Sequence, residues 1–201
     1  MSSSTLAHYY RFHARIYDET RFLFLFGRAS LLEELDEGGP PERILEVGCG
    51  TGSNLLRLAR RFPDAKLVGM DLSPDMLARA RRKLRPYGAR VELVETRYPT
   101  AKGREARFDL ILFSYALTMF GPDFRGAVSA AKESLSREGR IAVVDFDDST
   151  LPGFKPWMSF NHVRIDGSML PWLRETFPTS RARVRRAFAG AWTYFTFVGR
   201  R

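Results

Sequence analysis

The chain has 201 residues, 44% of them hydrophobic, a formal net charge of +9 and a single cysteine. That length suits one compact domain with no room for a second catalytic one, and one thiol rules out an internal disulfide framework and fits a reducing compartment. No apolar run approaches the roughly 20 residues of a membrane span, and the opening MSSST lacks the charged-then-apolar order of a secretion signal, so a cytoplasmic protein is expected. In chain order, residues 5–18 and 20–37 read as helices ending at Gly38-Gly39-Pro40-Pro41, which sets a helical cap over 1–39 apart from a core over 42–201. The core alternates strand 43–48, helix 52–61, strand 66–71, helix 74–85, strand 90–95, strand 108–113 and helix 123–136. Gly139-Arg140 opens a strand over 141–145, an insertion spans 150–168, and segments 182–189 and 192–199 around Gly190 read as a hairpin. Apolar strands alternating with helices predict an α/β fold with a doubly wound, mostly parallel sheet and an antiparallel C-terminal hairpin.

Most of the 32 basic residues are arginine, and their placement is uneven. Arg79, Arg81, Arg82, Lys83 and Arg85 crowd one helix, and Arg181, Arg183, Arg185 and Arg186 lie along the first strand of the hairpin. Two readings stay open: a solvated face that keeps the protein soluble, or peripheral attraction to the anionic inner face of a membrane. No aromatic-interleaved RNA motif or recognition-helix pattern accompanies the charge, so nucleic acid is not expected as a partner. His8, His13 and His162 lack a cysteine or carboxylate ligand set, so no metal is expected either.

The run Ile44-Leu45-Glu46-Val47-Gly48-Cys49-Gly50-Thr51-Gly52 carries the most chemistry. An apolar strand turns there into glycines at alternate positions and then into a helical pattern, which allows a tight turn whose amides approach a ligand closely. A second strand, Lys66 to Met70, ends in Asp71, nineteen residues past Gly52. An acidic residue at that place accepts hydrogen bonds from both hydroxyls of a ribose. The bland alternative is a tight turn with Asp71 capping the helix that begins near Ser73-Pro74.

ILEVGCGTGSNLLRLA and VGMDLSPDMLARAR resemble the Rossmann-like, class I S-adenosylmethionine-dependent methyltransferases. The glycines, with Glu46 two places ahead, follow the methyltransferase form rather than the G-x-G-x-x-G of dinucleotide enzymes. The resemblance implies S-adenosylmethionine as cofactor and S-adenosylhomocysteine as product. Glu46, Gly48, Cys49, Gly50 and Gly52 would surround the methionine part and Asp71 would hold the ribose. Thr96, in the Glu95-Thr96 turn, would meet the adenine, with Asn54, Leu72 and Met76 completing the site. Many relatives carry an acidic residue just after the third strand, where this chain reads VELVETRYP. Ser114 and Tyr115 occupy the place beside the sulfonium and the incoming nucleophile.

YDETRFLFLFGR, SYALTMF, the VVDF strand and the tail from Asp166-Gly167 through LPWLRETF to YFTFVG resemble a narrower group. These are the N-methyltransferases that make betaine lipids from diacylglyceryl-homoserine, relatives of bacterial phosphatidylethanolamine N-methyltransferases. A tryptophan follows the cap arginine in their pattern, and Phe22 stands there in this chain. The likeness implies methyl transfer to the amine of a lipid headgroup at a membrane surface. The alternatives are a soluble small-molecule amine or hydroxyl acceptor, or a non-catalytic S-adenosylmethionine-binding protein. On the lipid reading, Tyr10, Tyr17 and Tyr115 stabilise the positive charge moving onto nitrogen, at about 0.5–2 kcal/mol for each cation–π contact. His162, in the insertion, accepts the ammonium proton, and Arg28 or Arg164 grips a headgroup carboxylate in a bidentate fork.

Overall fold

The computed structural model describes residues 25–36, 39–99, 107–160 and 165–201. The expected helix at 5–18 lies outside these residues, as do Tyr10, Tyr17, His162 and Arg164. Seven strands form one sheet: β1 (Arg43–Val47), β2 (Lys66–Asp71), β3 (Val91–Glu95), β4 (Phe108–Ser114), β5 (Leu135–Phe146), β6 (Ser180–Ala187) and β7 (Trp192–Arg200). Their order is β3-β2-β1-β4-β5-β7-β6. The first five run parallel, and β7 runs antiparallel to both β5 and β6. The doubly wound sheet with an antiparallel C-terminal hairpin, of which only β7 runs against the rest, is the architecture that the strand–helix alternation predicts.

Among the described residues, six α-helices cover the two faces: α1 (Arg28–Glu33), α2 (Ser53–Arg61), α3 (Pro74–Leu84), α4 (Phe124–Ser134), α5 (Phe154–Phe160) and α6 (Met169–Thr176). Leu31 and Leu32 of α1, Leu55 and Leu58 of α2, and Leu77 and Leu84 of α3 pack with Ile44, Leu110 and Val144 on one face. Ala127, Val128 and Ala131 of α4 and Leu170 and Leu173 of α6 pack with Leu45, Ile111 and Val143 on the other. Alternate residues of one strand thus enter opposite cores, which is why β1 and β4 read as near-continuous apolar runs.

Two expectations need correction. The expected helix over 20–37, whose residues 20–24 and 37 lie outside the described ones, does not run through Gly27: its φ of +80° is a left-handed conformation that a helix interior does not take, and α1 begins at Arg28. The fifth strand begins at Leu135 rather than at Gly139-Arg140. Leu135 pairs with Phe108 and Arg140 with Leu110, so the polar stretch between them bulges out of register. That stretch looks like a loop because its alternation is broken, yet Ser136 Oγ donates to Asp109 Oδ1 at 2.8 Å and holds it against β4.

Candidate active site

The strand order reverses between β1 and β4, and the crevice beyond the carboxyl ends of these two strands is where such sheets hold ligands. The turn after β1 is built to fill it. Gly48 N and Cys49 N both donate to Met70 O, at 2.8 and 2.9 Å, pinning the turn to β2. Gly48 has φ +70°, and a Cβ there would stand 2.9 Å from the Ala116 Cβ. At Gly52, φ +73°, a Cβ would meet Leu84 Cδ1 at 2.9 Å, so the glycine lets α3 close onto the start of α2. These are positions where an L side chain is excluded by conformation and by space together.

Asp71 ties the turn together. Its Oδ2 accepts from Gly50 N at 2.7 Å and its Oδ1 from Ser73 N at 2.9 Å, while Ser73 Oγ accepts from Met76 N at the start of α3. The carboxylate therefore bridges the glycine turn and the entry to α3. An ionised carboxylate has about four lone-pair sites, which leaves acceptor capacity for a ribose. Both sequence readings of Asp71, ribose acceptor and structural brace, are compatible with this geometry.

Beside the turn lies a cleft lined by Arg28, Glu46, Gly48, Cys49, Thr51, Ser53, Asn54 and Ser114. Glu46 shares a strand face with Ile44 and is only 1% exposed. Asn54 Nδ2, from the second residue of α2, donates to its Oε1 at 2.8 Å. Ser114, the last residue of β4, is buried, and its Oγ has no hydrogen-bond partner among the described residues. The Nε and Nη2 of Arg28 are shut off from solvent, and its guanidinium lies 5.9 Å from the centre of the Tyr115 ring. A buried carboxylate, a guanidinium and an open hydroxyl in one cleft complement a ligand that carries both an ammonium and a carboxylate.

Two further polar groups belong to the surroundings and were not singled out by the residue pattern. Lys83 Nζ reaches back from α3 to donate to Ser53 Oγ at 2.8 Å and Thr51 Oγ1 at 3.2 Å. Its spacing from Met76 and Ala80, seven and three residues, puts it on the buried face of α3, the one signal that separates it from its solvated basic neighbours. Asp145, near the end of β5, is fully buried; its Oδ1 accepts from Thr118 Oγ1 at 2.7 Å and from Phe146 N at 2.9 Å, and its Oδ2 from Thr118 N at 3.2 Å. Burial pushes its carboxyl up to about 6 against the pull of these hydrogen bonds. A lone acid inside the apolar run IAVVDF was the available sign.

Tyr115 sits with φ +54° directly after β4, its N–H donating to Val144 O at 2.7 Å. Its hydroxyl donates to Phe26 O at 2.8 Å, and its ring meets Phe146 edge-on at 4.8 Å. Burial drives its phenol far above the usual value, with the Asp145 charge adding to the effect. The hydroxyl is thus committed to holding the turn ahead of α1. Cys49 is a buried filler, its Sγ 3.0 Å from where a Cβ of Gly69 would stand. Met76 is buried, Leu72 is exposed beyond β2, and Thr96 N donates to Asp71 O. Glu95 pairs with Asp71 as the last residue of the β2–β3 ladder.

This combination of sheet order, glycine turn and strand-end carboxylate defines a Rossmann-like nucleoside-cofactor domain. The model of the methyltransferase domain family matches residues 44–139. Over that stretch, just under half of its length, the chain is similar to the methyltransferase domain family. It is 34% identical over 106 residues to the demethylmenaquinone methyltransferase of Thermus thermophilus, covering 53% of this chain and 48% of that one. It is 31% identical over 144 residues to the aklanonic acid methyltransferase DauC of a Streptomyces species, covering 70% of this chain and 65% of that one. The chain therefore spans less than two thirds of either relative. Among solved structures, the N-methyltransferase NodS of Bradyrhizobium japonicum, in complex with S-adenosyl-L-homocysteine, superposes with a TM-score of 0.66 at 19% identity, over 86% of this chain and 84% of that one. That likeness supports the fold.

Proposed function

We propose that the protein binds S-adenosylmethionine in the Arg28–Glu46–Ser114 cleft and directs its methyl group to a small-molecule acceptor. The observation that carries the reading is the cleft itself, whose opposed charges and open Ser114 hydroxyl suit the amino-acid end of the cofactor, beside a turn braced on Asp71. Glu46 would hold the ammonium and Arg28 the carboxylate of the methionine part, a different duty from the headgroup contact expected of Arg28. Asp71 would take the ribose. The bound cofactor supplies a sulfonium-borne methyl, an electrophile that needs no strong acid or base.

The task of the protein is then to align and to exclude water. Ser114 and the Gly48 turn fix the floor of the cleft, and Tyr115 locks the Phe26–Gly27 turn against its rim. Holding reactants in line supplies most of the barrier reduction in such a transfer, since fixed geometry removes translational and rotational freedom in advance. Relatives named for demethylmenaquinone and aklanonic acid favour a small-molecule acceptor over the lipid-headgroup amine that the narrower resemblance implies. No described helix is long and apolar enough to cross a membrane.

Isothermal calorimetry with S-adenosylhomocysteine tests the reading. A saturable heat with one site per chain is expected, weakened by Glu46→Gln and by Arg28→Met. Absence of binding to the wild-type protein would overturn it.

A further inference from the structure

Among the described residues, the exposed large apolar side chains lie at one end of the sheet, with the exception of Val184 within β6. Leu72 follows β2, Met119 follows β4 and Leu151 follows β5, all at carboxyl ends of strands. The turn joining β6 to β7 comes to the same end, because Tyr194 pairs with Phe146 and Trp192 with Ala187. At its tip Phe188 is 49% exposed with φ +47°, followed by Ala189 at φ +53°. A bulky residue rarely takes this conformation, and here it keeps an aromatic ring out of the core.

Phe188 is one wall of an aromatic shelf. Its ring lies 4.7 Å from that of Trp192 and meets Phe26 edge-on at 5.5 Å, and Phe26 stacks on Tyr194 at 6.2 Å. Phe26 is itself 37% exposed. The shelf adjoins the cofactor cleft through two links: the Phe26 carbonyl accepts from Tyr115, one residue after Ser114, and Arg28, two residues on, lines the cleft. Arg185 stands opposite Tyr194 in the β6–β7 ladder and so on the same sheet face, with exposed Arg186 next to it. An apolar ledge that adjoins the cleft, with the Arg185 guanidinium on its own sheet face, has a definite chemical complement.

We propose that this shelf receives the body of the methyl acceptor, a soluble molecule with an aromatic or extended hydrocarbon part and an anionic group. The ring system lies against Phe188 and Phe26 and the anion meets Arg185. The proposal rests on the methyl-transfer reading and narrows its substrate class.

The probe is 8-anilinonaphthalene-1-sulfonate, an aromatic anion, titrated by fluorescence into protein saturated with S-adenosylhomocysteine. Phe188→Gly removes the ring at a position where glycine is at ease, and Arg185→Glu reverses an exposed charge, so both variants should fold. Saturable binding of one probe per chain is expected, weakened about tenfold or more in each variant, with S-adenosylhomocysteine affinity unchanged in both. That last readout separates failure here from failure of the cofactor reading. Probe binding indifferent to both substitutions overturns the proposal. So does sedimentation with phosphatidylglycerol vesicles that disappears in Phe188→Gly, which would assign the shelf to a bilayer, or a dimer in light scattering that Phe188→Gly dissociates, which would assign it to a second copy.

Discussion

On the proposed function, Asp71 is a single side chain that would serve binding and architecture together. Its oxygens hold the Gly50 and Ser73 amides, so replacing it removes the brace and, on the proposed function, the ribose acceptor as well. Asp71→Ala should weaken S-adenosylhomocysteine binding by roughly 1–3 kcal/mol, on the order of a tenfold to hundredfold rise in Kd by calorimetry, because a buried hydroxyl pair is left without its acceptor. Unchanged affinity would place the ribose elsewhere. Gly48 carries two separable penalties for substitution, a left-handed φ of +70° and an approach of 2.9 Å to Ala116. Gly48→Ala should cost roughly 1–2 kcal/mol from conformation alone, with the clash in addition. Adding Ala116→Gly should recover only the steric part, and a double variant melting like wild type would show that conformation is not the constraint.

At the level of elements, the end of β5 governs the loop after β4. Thr118, in the 3-10 segment that follows β4, is clasped by Asp145 through backbone and hydroxyl, and Tyr115 of the same loop is bolted to Phe26. Desolvation raises Asp145 from its ordinary 3.8 to about 6. The fold therefore holds this proton more tightly than the unfolded chain does. Its stabilising contribution is complete below about 3.8 and is lost as pH climbs through about 6. Asp145→Asn abolishes this titration. In urea unfolding, wild type should lose on the order of 2–3 kcal/mol relative to the variant between pH 4 and pH 7, and a pH-independent difference would contradict the assignment. Tyr115→Phe deletes the donor to the Phe26 carbonyl and keeps the ring. We expect about 1 kcal/mol lost from stability and an S-adenosylhomocysteine Kd within about threefold of wild type, since the hydroxyl faces the turn rather than the cleft.

Across the whole molecule, the parts legible in the sequence were those where local rule and global fold agree. The strand bounds of β2, the glycine turn and Asp71 follow from periodicity and punctuation that tertiary packing leaves intact. The start of β5 was hidden because a register shift against β4 breaks its alternation, and the interruption at Gly27 because a glycine inside an apolar run can equally sit in a helix. Lys83 and Asp145 escaped notice for a different reason: their partners, Ser53 and Thr118, are 30 and 27 residues away, and no local pattern encodes such contacts. The same distance rule bears on the order of assembly. Glu46 and Leu112 are neighbours across the β1–β4 ladder although some 65 residues of chain separate them, and Ser114 reaches the cleft only once that ladder has closed. Long-range closure is paid for late in folding. S-Adenosylhomocysteine should consequently act as a brake: stopped-flow traces should show slower unfolding in its presence and an unaltered refolding rate.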